Sequence, residues 1–402
     1  MNKIVFDGAL FSECQMQGSN RYGMLRVAEE ITTRLLNVDD FEFAFANSIY
    51  LEKYHLSLIQ FLQENFSSHQ LSILSKKPNA IFNILEYKRI FQKLPWLLFP
   101  NVKNAGIEQY DIYHSFYYPI HKNVQQLPLK KCITFLDIIP LRLEGYTKEI
   151  INLTQRIVDS IQENYAISIS EYSKQDLLNY NKNIKPENIF VAPLAASPST
   201  FYQNKNVADW QRVQKKYNLP ANYFLCISSS DIRKNIEHLI ICFSHFILQE
   251  KPKNAYLVIA GNSTHSRTVL DKLNIDKEVR KRIVFPEKFI DENDLAIVYS
   301  NALSFFFMSL YEGFGLPALE AMQCGTPTVA ANTSSIPEVM GEAGILLSPT
   351  DKNSLCETML QLYNNESLRL NLSQKGIQQA SLFSWERTAN EYSSIFKMIN
   401  NI

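Results

Sequence analysis

Short apolar, β-branched or aromatic runs alternate along the chain with longer segments whose apolar residues recur at helical spacing. The strand-like runs of the first half are residues 3–6, 112–114, 132–136, 166–169 and 191–194. Residues 22–36 instead place Met24, Val27, Ile31 and Leu35 on one helical face. Nearly continuous apolar strands separated by helices are typical of buried parallel sheets covered by helices. The first half is therefore predicted to be a doubly wound α/β domain.

The same pattern restarts after a polar stretch that is rich in Ser, Asn and Pro. Beyond it, residues 235–249 have helical spacing, and strand-like runs occupy residues 223–227, 256–260, 283–285, 302–308 and 328–330. We therefore predict two Rossmann-like domains, at residues 1–197 and 210–382, with a linker at 198–209 and a closing helix at 383–402. Because open parallel sheets bind ligands outside the carboxyl ends of their strands, two facing sheets would place a cleft between the domains.

Composition narrows the class of protein. The 402 residues suit two domains, and 40 Lys and Arg against 40 Asp and Glu leave no net charge, which argues against nucleic acid as a partner. The longest apolar cluster, residues 94–100, is far too short to span a bilayer, and the N-terminus lacks the pattern of a signal peptide. The six cysteines have neither disulfide nor metal-ligand spacing, so we expect reduced thiols in a cytoplasmic protein.

Glycine is scarce and clustered. The chain has only 12 glycines, and five of them lie in one short stretch: Gly313, Gly315, Gly325, Gly341 and Gly344. Glycine is needed where φ is positive or where a ligand approaches the backbone closely. The cluster therefore marks a candidate site, although two tight strand–helix connections without a ligand would need the same glycines.

Residues 309–325 can be interpreted from their order alone. They follow the strand-like run 302–308, Pro317 suits the first position of a helix, and Gly325 suits its end. The free N–H groups and the macrodipole of such a short helix attract an anion at its N-terminus. Glu312 and Glu320 would repel that anion unless they bind something neutral, and sugar hydroxyls are suitable donors.

Arg233 and Lys234 form a second candidate anion site between a strand end and a helix start. Cations are disfavoured by the dipole at a helix N-terminus, so their presence is explained if they neutralise a diphosphate. A solvated basic loop is the alternative.

The chain also resembles a known family. Glu312 and Glu320 form the E-x7-E arrangement of the retaining glycosyltransferases of family 4, inside the phrase SLYEGFGLPALEAMQCGTPTVAANTSSIPEVMGEAG. Further similar segments, in chain order, are IVFDGALF with GSNRYGMLRVAEEI, SISEYSKQDLLNY with ENIFVAPLA, SSSDIRKNIEHLI, LVIAGN and FSWERTANEY. The similarity runs almost end to end and is weakest between residues 37 and 110.

The resemblance implies a GT-B fold, in which an N-terminal domain binds the acceptor and a C-terminal domain binds a nucleoside-diphosphate sugar across a cleft. The closing helix would return to the N-terminal domain. The implied activity is retaining transfer of the sugar to a glycan or lipid-linked glycan, as in cell-surface polysaccharide biosynthesis. No cofactor and no metal are implied, which agrees with the lack of a D-x-D motif in a suitable loop.

The resemblance also implies roles for individual residues. Arg233 and Lys234 would bind the diphosphate, Glu320 the ribose and Glu312 the donor sugar, with Asp137 as a fourth catalytic residue. The remaining donor-binding residues would be Phe314, Gly315 and Leu316 through their N–H groups, Gly18 from the opposite domain, and Ser229, Gly261 and Phe285.

The chain departs from the family pattern in several places. The family usually has a His-Asp pair where this chain has Leu136 and Asp137, so any step that depends on the histidine is in doubt. His114 could approach the same cleft, or could be a polar residue at a strand end with no role. Gly18 lacks the second glycine that is common beside it, and Lys288 replaces a common glycine.

Three alternatives remain open from the sequence. The segment 87–100 mixes cations with large apolar groups, so it could rest on the inner face of the membrane or could pack under a loop. The chain could be a glycan phosphorylase of similar fold, or a non-catalytic GT-B protein that partners an active transferase. A Rossmann dehydrogenase is dismissed because no G-x-G-x-x-G follows the first strand.

Overall fold

The computed structural model describes residues 2–17, 23–46, 52–66, 72–74, 106–229, 231–262 and 264–402. The chain divides into two units. The first unit comprises Met1–Ile169, Ser173–Ala192 and Trp385–Ile402, and the second comprises Ser170–Tyr172 and Pro193–Ser384.

The first unit contains a seven-stranded sheet in the order β3-β2-β1-β4-β5-β6-β7, and all its strand pairs are parallel. Its strands are β1 (Asn2–Asp7), β2 (Phe41–Ala46), β3 (Ser72–Leu74), β4 (Ile112–Ser115), β5 (Lys130–Phe135), β6 (Tyr165–Ser168) and β7 (Ile189–Val191). Its helices are α1 (Ala9–Gln17), α2 (Gly23–Leu35), α3 (Glu52–Asn65), α4 (Lys122–Gln125), α5 (Ile139–Arg142), α6 (Lys148–Gln162) and most of α7 (Glu171–Tyr180).

The second unit contains a six-stranded parallel sheet in the order β10-β9-β8-β11-β12-β13. Its strands are β8 (Tyr223–Ser228), β9 (Tyr256–Gly261), β10 (Ile283–Val284), β11 (Ser304–Phe307), β12 (Thr328–Ala331) and β13 (Ile345–Leu347). Its helices are α8 (Val207–Tyr217), α9 (Ile236–Glu250), α10 (Thr264–Lys272), α11 (Lys277–Arg280), α12 (Glu292–Ser300), α13 (Leu316–Gln323), α14 (Ile336–Met340), α15 (Lys352–Asn364) and α16 (Glu366–Ala380).

The hydrophobic pattern predicts most of these strands, but not β2, β3 or β13, and it predicts only a minority of the helices. The predicted α/β class with two doubly wound parallel sheets is confirmed, and the predicted helix at 22–36 is observed as α2. The apolar run at 191–194 begins where the observed strand ends, because β7 spans Ile189–Val191. The central strands β1, β8 and β11 are almost wholly buried, as expected for strands covered by helices on both faces.

The boundaries between the units differ from those predicted. The N-terminal part of the first unit ends at Ala192 rather than at 197, and residues 198–209 belong to the second unit instead of forming a separate linker. Phe201 explains this difference. Its side chain is buried against the ring of Tyr299, and its carbonyl oxygen accepts a hydrogen bond from Gln323. The polar composition of residues 198–209 therefore does not indicate that this segment packs against the second unit.

The closing helix, α17 (Trp385–Asn401), belongs to the first unit, as the resemblance implies. The hydroxyl group of Tyr392 lies 2.8 Å from that of Thr134 on β5. Lys397 forms an ion pair with Asp40, and the ring of Phe396 contacts that of Phe41. Among the helices of the described residues, none combines the length and hydropathy needed to cross a bilayer.

Candidate functional site

The candidate site lies where the strand order of the second sheet reverses. Strand β8 pairs with β9 on one side and with β11 on the other, and the chain continues outward in both directions. The segments that follow β8 and β11 therefore diverge at their carboxyl ends and leave a crevice between them. These two segments carry the charged residues that the sequence singled out.

A buried carboxylate joins the two segments. Glu312, in the loop after β11, is only 6% exposed. One of its oxygens lies 2.7 Å from Nζ of Lys234, and the other pairs with the guanidinium group of Arg233, both in the turn after β8. Arg233 also contacts a carboxylate oxygen of Asp231 at 2.9 Å. The cluster thus holds two positive and two negative charges.

The two cations keep Glu312 ionised. Burial would raise the pKa of this carboxyl group, but the charges of Lys234 and Arg233 outweigh burial, so that the pKa lies below its ordinary value. Lys234 is itself buried and lies over the ring of Phe307, 4.8 Å from its centre. The two ion pairs therefore neutralise the charge of Glu312, so that this carboxylate does not exclude an anion from the site.

Hydrogen bonds to the backbone fix the position of Glu312. Its N–H group donates to the hydroxyl of Ser334 at 2.9 Å, and its carbonyl accepts from the hydroxyl of Ser335 at 2.9 Å. Both serines belong to the similar phrase quoted above, but no sequence argument gave them a role. Their short side chains reach the loop from the segment after β12, which only the fold reveals.

The turn after β8 is held just as firmly. The side chain of Asn235 donates to the carbonyl groups of Met308 and Pro349, and Arg233 donates to the carbonyl of Tyr311 at 3.1 Å. Asp231 caps this turn by accepting from the N–H of Arg233. These contacts hold Arg233 and Lys234 in position before any ligand binds. No motif in the sequence indicates this role for Asp231 or Asn235.

Helix α13 begins at Leu316, one residue before the predicted start, and directs its N-terminus toward the same loop. Gly315 has a φ of 110°, which side-chain-bearing residues rarely adopt, so its glycine is explained by the backbone. Phe314 is buried with its ring against that of Phe383. Pro317 has no N–H group, and those of Ala318 and Leu319 donate to the carbonyl of Gly315, so the positive end of the helix dipole provides the partial charge beside the cluster.

Glu320 lies one turn into α13 and is half-buried. One of its carboxylate oxygens accepts a hydrogen bond of 3.1 Å from the hydroxyl of Tyr299, which is fully buried. Tyr299 therefore orients Glu320 from within the core. The two glutamates of the E-x7-E pattern are thus held in different ways, one by cations and the other by a neutral phenol.

Three further predicted residues lie along the carboxyl edge of the second sheet. Ser229 follows β8 and is exposed, and Phe285 follows β10 with its ring 4.6 Å from the guanidinium carbon of Arg267. Gly261 ends β9, and a Cβ atom there would lie 2.3 Å from the carbonyl oxygen of Ser228. Close approach of β8 and β9 is therefore sufficient to explain Gly261.

Two predicted residues belong to the first unit. Asp137 follows β5, is half-buried, and accepts a hydrogen bond of 3.0 Å from the N–H of Ile139 at the start of α5. Burial, together with the charge of Asp137, raises the pKa of Tyr117. Gly18 lies outside the described residues, as does the segment 87–100 that was considered for membrane contact.

The structure corrects the hypothesis about His114. This side chain is fully buried on β4, where the rings of Phe6, Phe116 and Phe396 surround it. Its Nε2 atom lies 3.0 Å from the hydroxyl of Thr134, and burial lowers its pKa to about 3. His114 is therefore a neutral core residue, and we leave it out of the candidate site.

Within the described ranges, no three His, Cys, Asp or Glu side chains come together in a way that could hold a metal ion. In the same ranges, the positive charges of the candidate site come from Arg233, Lys234 and the helix N-terminus. This arrangement suits an anionic ligand with two adjacent charged groups, such as a diphosphate.

Comparison with known proteins agrees with this geometry. Residues 209–379 match the family model described as "Glycosyl transferases group 1". The O-antigen chain mannosyltransferase B of Escherichia coli is 30% identical over 234 residues, which are 58% of this chain and 60% of that protein. The serotype-specific mannosyltransferase WbdA of the same species is 27% identical over 69% of this chain but only 34% of its own length. The match thus spans less than two thirds of either relative.

Solved structures match over nearly the whole chain. Sucrose-phosphate synthase from Thermosynechococcus elongatus has a TM-score of 0.66 at 18% identity, and 99% of each chain is covered. Anabaena Alr3699/HepE, solved with UDP and glucose, has a TM-score of 0.67 at 14% identity, again over 99% of each chain. At these identities the similarity establishes the fold alone, and that fold is GT-B.

Proposed function

We propose that this chain, whose residues 209–379 match the model of the glycosyl transferases group 1 family, is a retaining glycosyltransferase. It transfers a sugar from a nucleoside diphosphate to a glycan or lipid-linked glycan in the biosynthesis of a cell-surface polysaccharide. The observation that carries this proposal is the buried cluster of Arg233, Lys234 and Glu312 at the reversal point of the second sheet.

The charge balance of the cluster suggests how a donor would bind. Without a ligand, the charges of Arg233 and Lys234 are offset by those of Glu312 and Asp231. A diphosphate would compete with both carboxylates for these cations and would also meet the N-terminus of α13. Once the cations share their charge with the diphosphate, Glu312 can accept hydrogen bonds from the hydroxyl groups of the donor sugar. Glu320, held by Tyr299, is placed to accept from the ribose hydroxyls.

The cations also support the chemical step. When the bond between the sugar and the diphosphate breaks, negative charge builds up on the leaving diphosphate. Donors that are already in place stabilise this charge without reorganisation, and removal of one such donor typically costs about 10²–10³ in rate. Arg233 supplies a planar fork for two oxygens, whereas Lys234 supplies a point charge. In this proposal the protein's cations take the place of a metal ion, and no cofactor is needed.

Mannose is the donor sugar that we propose to test first, because several curated relatives are named mannosyltransferases. The O-antigen names of two of them suggest a glycan acceptor of the cell surface. We place acceptor binding in the first unit, with Asp137 as its proposed catalytic contribution. We further propose a cytoplasmic enzyme that works at the inner face of the membrane, where a lipid-linked acceptor would be presented.

The proposal is tested by incubating the full chain with mannose and glucose conjugates of UDP, GDP, ADP and dTDP. Release of the nucleoside diphosphate is measured with and without short mannose oligosaccharides as acceptors. We expect one donor to be turned over and the product linkage to keep the donor's anomeric configuration. Lys234→Met should lose this activity, whereas Lys281→Met is a matched control, because Lys281 is an exposed lysine of the same unit.

Release of inorganic phosphate from a sugar phosphate would favour the phosphorylase alternative. If a nucleoside diphosphate binds tightly but no donor reacts with any acceptor, the chain is a non-catalytic partner and the proposal is wrong.

A further inference from the structure

Two cysteines that are distant in the sequence meet in the second unit. Cys242 is fully buried on α9, and Cys356 is partly exposed on α15. The thiol group of Cys356 lies 3.4 Å from the carbonyl oxygen of Cys242. The spacing of the six cysteines in the sequence indicates no pair, and only the packing of α9 against α15 brings these two together.

The surroundings favour reaction of Cys356. The neighbouring thiol of Cys242 and the positive charge of Lys352 lower the pKa of Cys356 against the effect of burial. The neighbouring Cys356 and burial raise the pKa of Cys242, whose Sγ atom lies 3.5 Å from Nε2 of His238. Cys356 therefore forms a thiolate more readily than Cys242, and it is also the more accessible of the two.

The remaining cysteines have different environments. Burial raises the pKa of the other four thiols, which are those of Cys14, Cys132, Cys226 and Cys324. The pKa rises to about 11 for Cys14 and to about 12 for Cys226. We therefore expect these four thiols to resist oxidation in the folded protein. They serve as internal controls for the reactivity of the pair.

We propose that Cys242 and Cys356 are a modification site at which a peroxide forms a reversible intramolecular disulfide. The thiolate of Cys356 attacks a peroxide oxygen, so that the O–O bond breaks, hydroxide leaves and a sulfenic acid forms. The thiol of Cys242 then attacks the sulfur of the sulfenic acid, and the S–O bond breaks with release of water. A dithiol reductant restores both cysteines by thiol–disulfide exchange.

The bond would link two helices that both begin near the candidate site. Helix α9 follows the turn that carries Arg233 and Lys234, and Asn235 at its start donates to the carbonyl of Pro349, just before α15. In the unfolded chain the disulfide would close a loop of about 114 residues, which restricts that state and so favours the folded one. This inference goes beyond the proposed function and does not depend on it.

The test uses the full wild-type chain, treated with hydrogen peroxide at a few equivalents. Free thiols are then blocked by alkylation, and the digested protein is analysed by mass spectrometry with and without dithiothreitol. We expect a linked pair of peptides containing Cys242 and Cys356 that disappears on reduction, while the other four cysteines are alkylated. Oxidation should also raise the midpoint of thermal unfolding by several degrees, and dithiothreitol should reverse this shift.

Two variants separate the disulfide from other effects of peroxide. Cys356→Ser should lose both the linked peptides and the stabilisation, whereas Cys14→Ser, which alters a cysteine of the first unit, should keep both. Native reduced variants are compared first by circular dichroism. If wild-type Cys242 remains alkylated while Cys356 is oxidised to a sulfinic acid, or if Cys356 links two chains, the proposal is overturned.

Discussion

Each of the two sheets places one titratable residue next to a central strand, and these two residues have opposite charge states. In the first unit, β4 lies beside β1 and carries His114, whereas in the second unit β11 lies beside β8 and leads to Glu312. Both side chains are buried. His114 is held neutral, with its pKa lowered to about 3, whereas Glu312 is held ionised with its pKa below the ordinary value of 4.5.

The difference lies in what faces each residue. Burial disfavours the charged form of both groups, but Glu312 meets two cations and His114 meets aromatic rings and the hydroxyl of Thr134. A buried ion pair contributes little net stability compared with apolar packing, and removing one partner from it is costly. The second unit therefore maintains a charged arrangement that folding alone does not favour, which is typical of a functional site.

The two residues also give the units different responses to acid. The folded pKa of His114 lies below its ordinary value of 6.5, so protons favour the unfolded first unit as pH falls below about 6.5. The folded pKa of Glu312 is lowered, so its contribution is present above about pH 4.5 and is lost as pH falls through the folded pKa. As pH falls, the first unit should therefore lose stability through His114 at a higher pH than the second unit loses stability through Glu312.

The largest expected effect comes from removing a cation. Lys234→Met keeps the length of the buried stem but removes the charge that faces Glu312 and the proposed diphosphate. We expect turnover to fall by about 10²–10³, by the loss of preorganised charge. Steady-state kinetics with the preferred donor measure this effect. A variant with wild-type turnover would show that the cluster only supports the fold.

The next largest effect should separate binding from turnover. Glu312→Gln removes the negative charge that competes with the diphosphate for Arg233 and Lys234, while it keeps the size of the side chain. We expect turnover to fall by about 10², but the free nucleoside diphosphate should bind as tightly as before or up to about 10-fold more tightly, which is about 1.4 kcal/mol. Titration calorimetry measures the affinity. Weaker binding of the nucleoside diphosphate would contradict the competition.

A smaller effect is expected for the second glutamate. Glu320→Ala removes the carboxylate that Tyr299 orients, and with it the proposed ribose contact. We expect about 10-fold weaker binding of the nucleoside diphosphate and little change in turnover at saturating donor. The matched variant Tyr299→Phe should produce a part of this loss. Equal effects on binding and turnover would assign Glu320 a different role.

The smallest effect concerns the first unit and is visible only as a pH dependence. His114→Phe removes a buried group that binds a proton only after unfolding. Wild-type stability should fall by about 1 kcal/mol per pH unit between pH 6 and pH 5 because of this residue, and the variant should lack that slope. Hydrogen exchange of the amides in β4 and β5 measures the stability of this unit. An unchanged slope would mean that His114 takes up a proton in the folded protein.

Much of the fold around these two residues can be predicted from the sequence. The order of apolar runs is sufficient to predict two parallel sheets and most of their strands, because central strands such as β8 and β11 are buried and mainly apolar. The strands β2, β3 and β13 are not predicted by these runs. Pro317 and the glycines around it locate α13 to within one residue, since backbone geometry restricts those positions.

The same reasoning fails where long-range packing decides the outcome. His114 is placed at a strand end by the sequence, but its burial depends on α17, which lies more than two hundred residues further along the chain. Ser334 is a short polar residue without a local signal, and it gains a role only through its contact with Glu312 from a different loop. The cysteine pair is hidden for the same reason.

The central claim is that the cations paired with Glu312 bind the diphosphate of a donor. Titration calorimetry of UDP, GDP, ADP and dTDP against the wild-type chain, Lys234→Met and Lys281→Met tests this claim most directly. We predict that one nucleoside diphosphate binds the wild type and Lys281→Met equally, and binds Lys234→Met at least about 10-fold more weakly, a loss of about 1.4 kcal/mol. Equal binding to all three proteins, or no binding to the wild type, would contradict the claim.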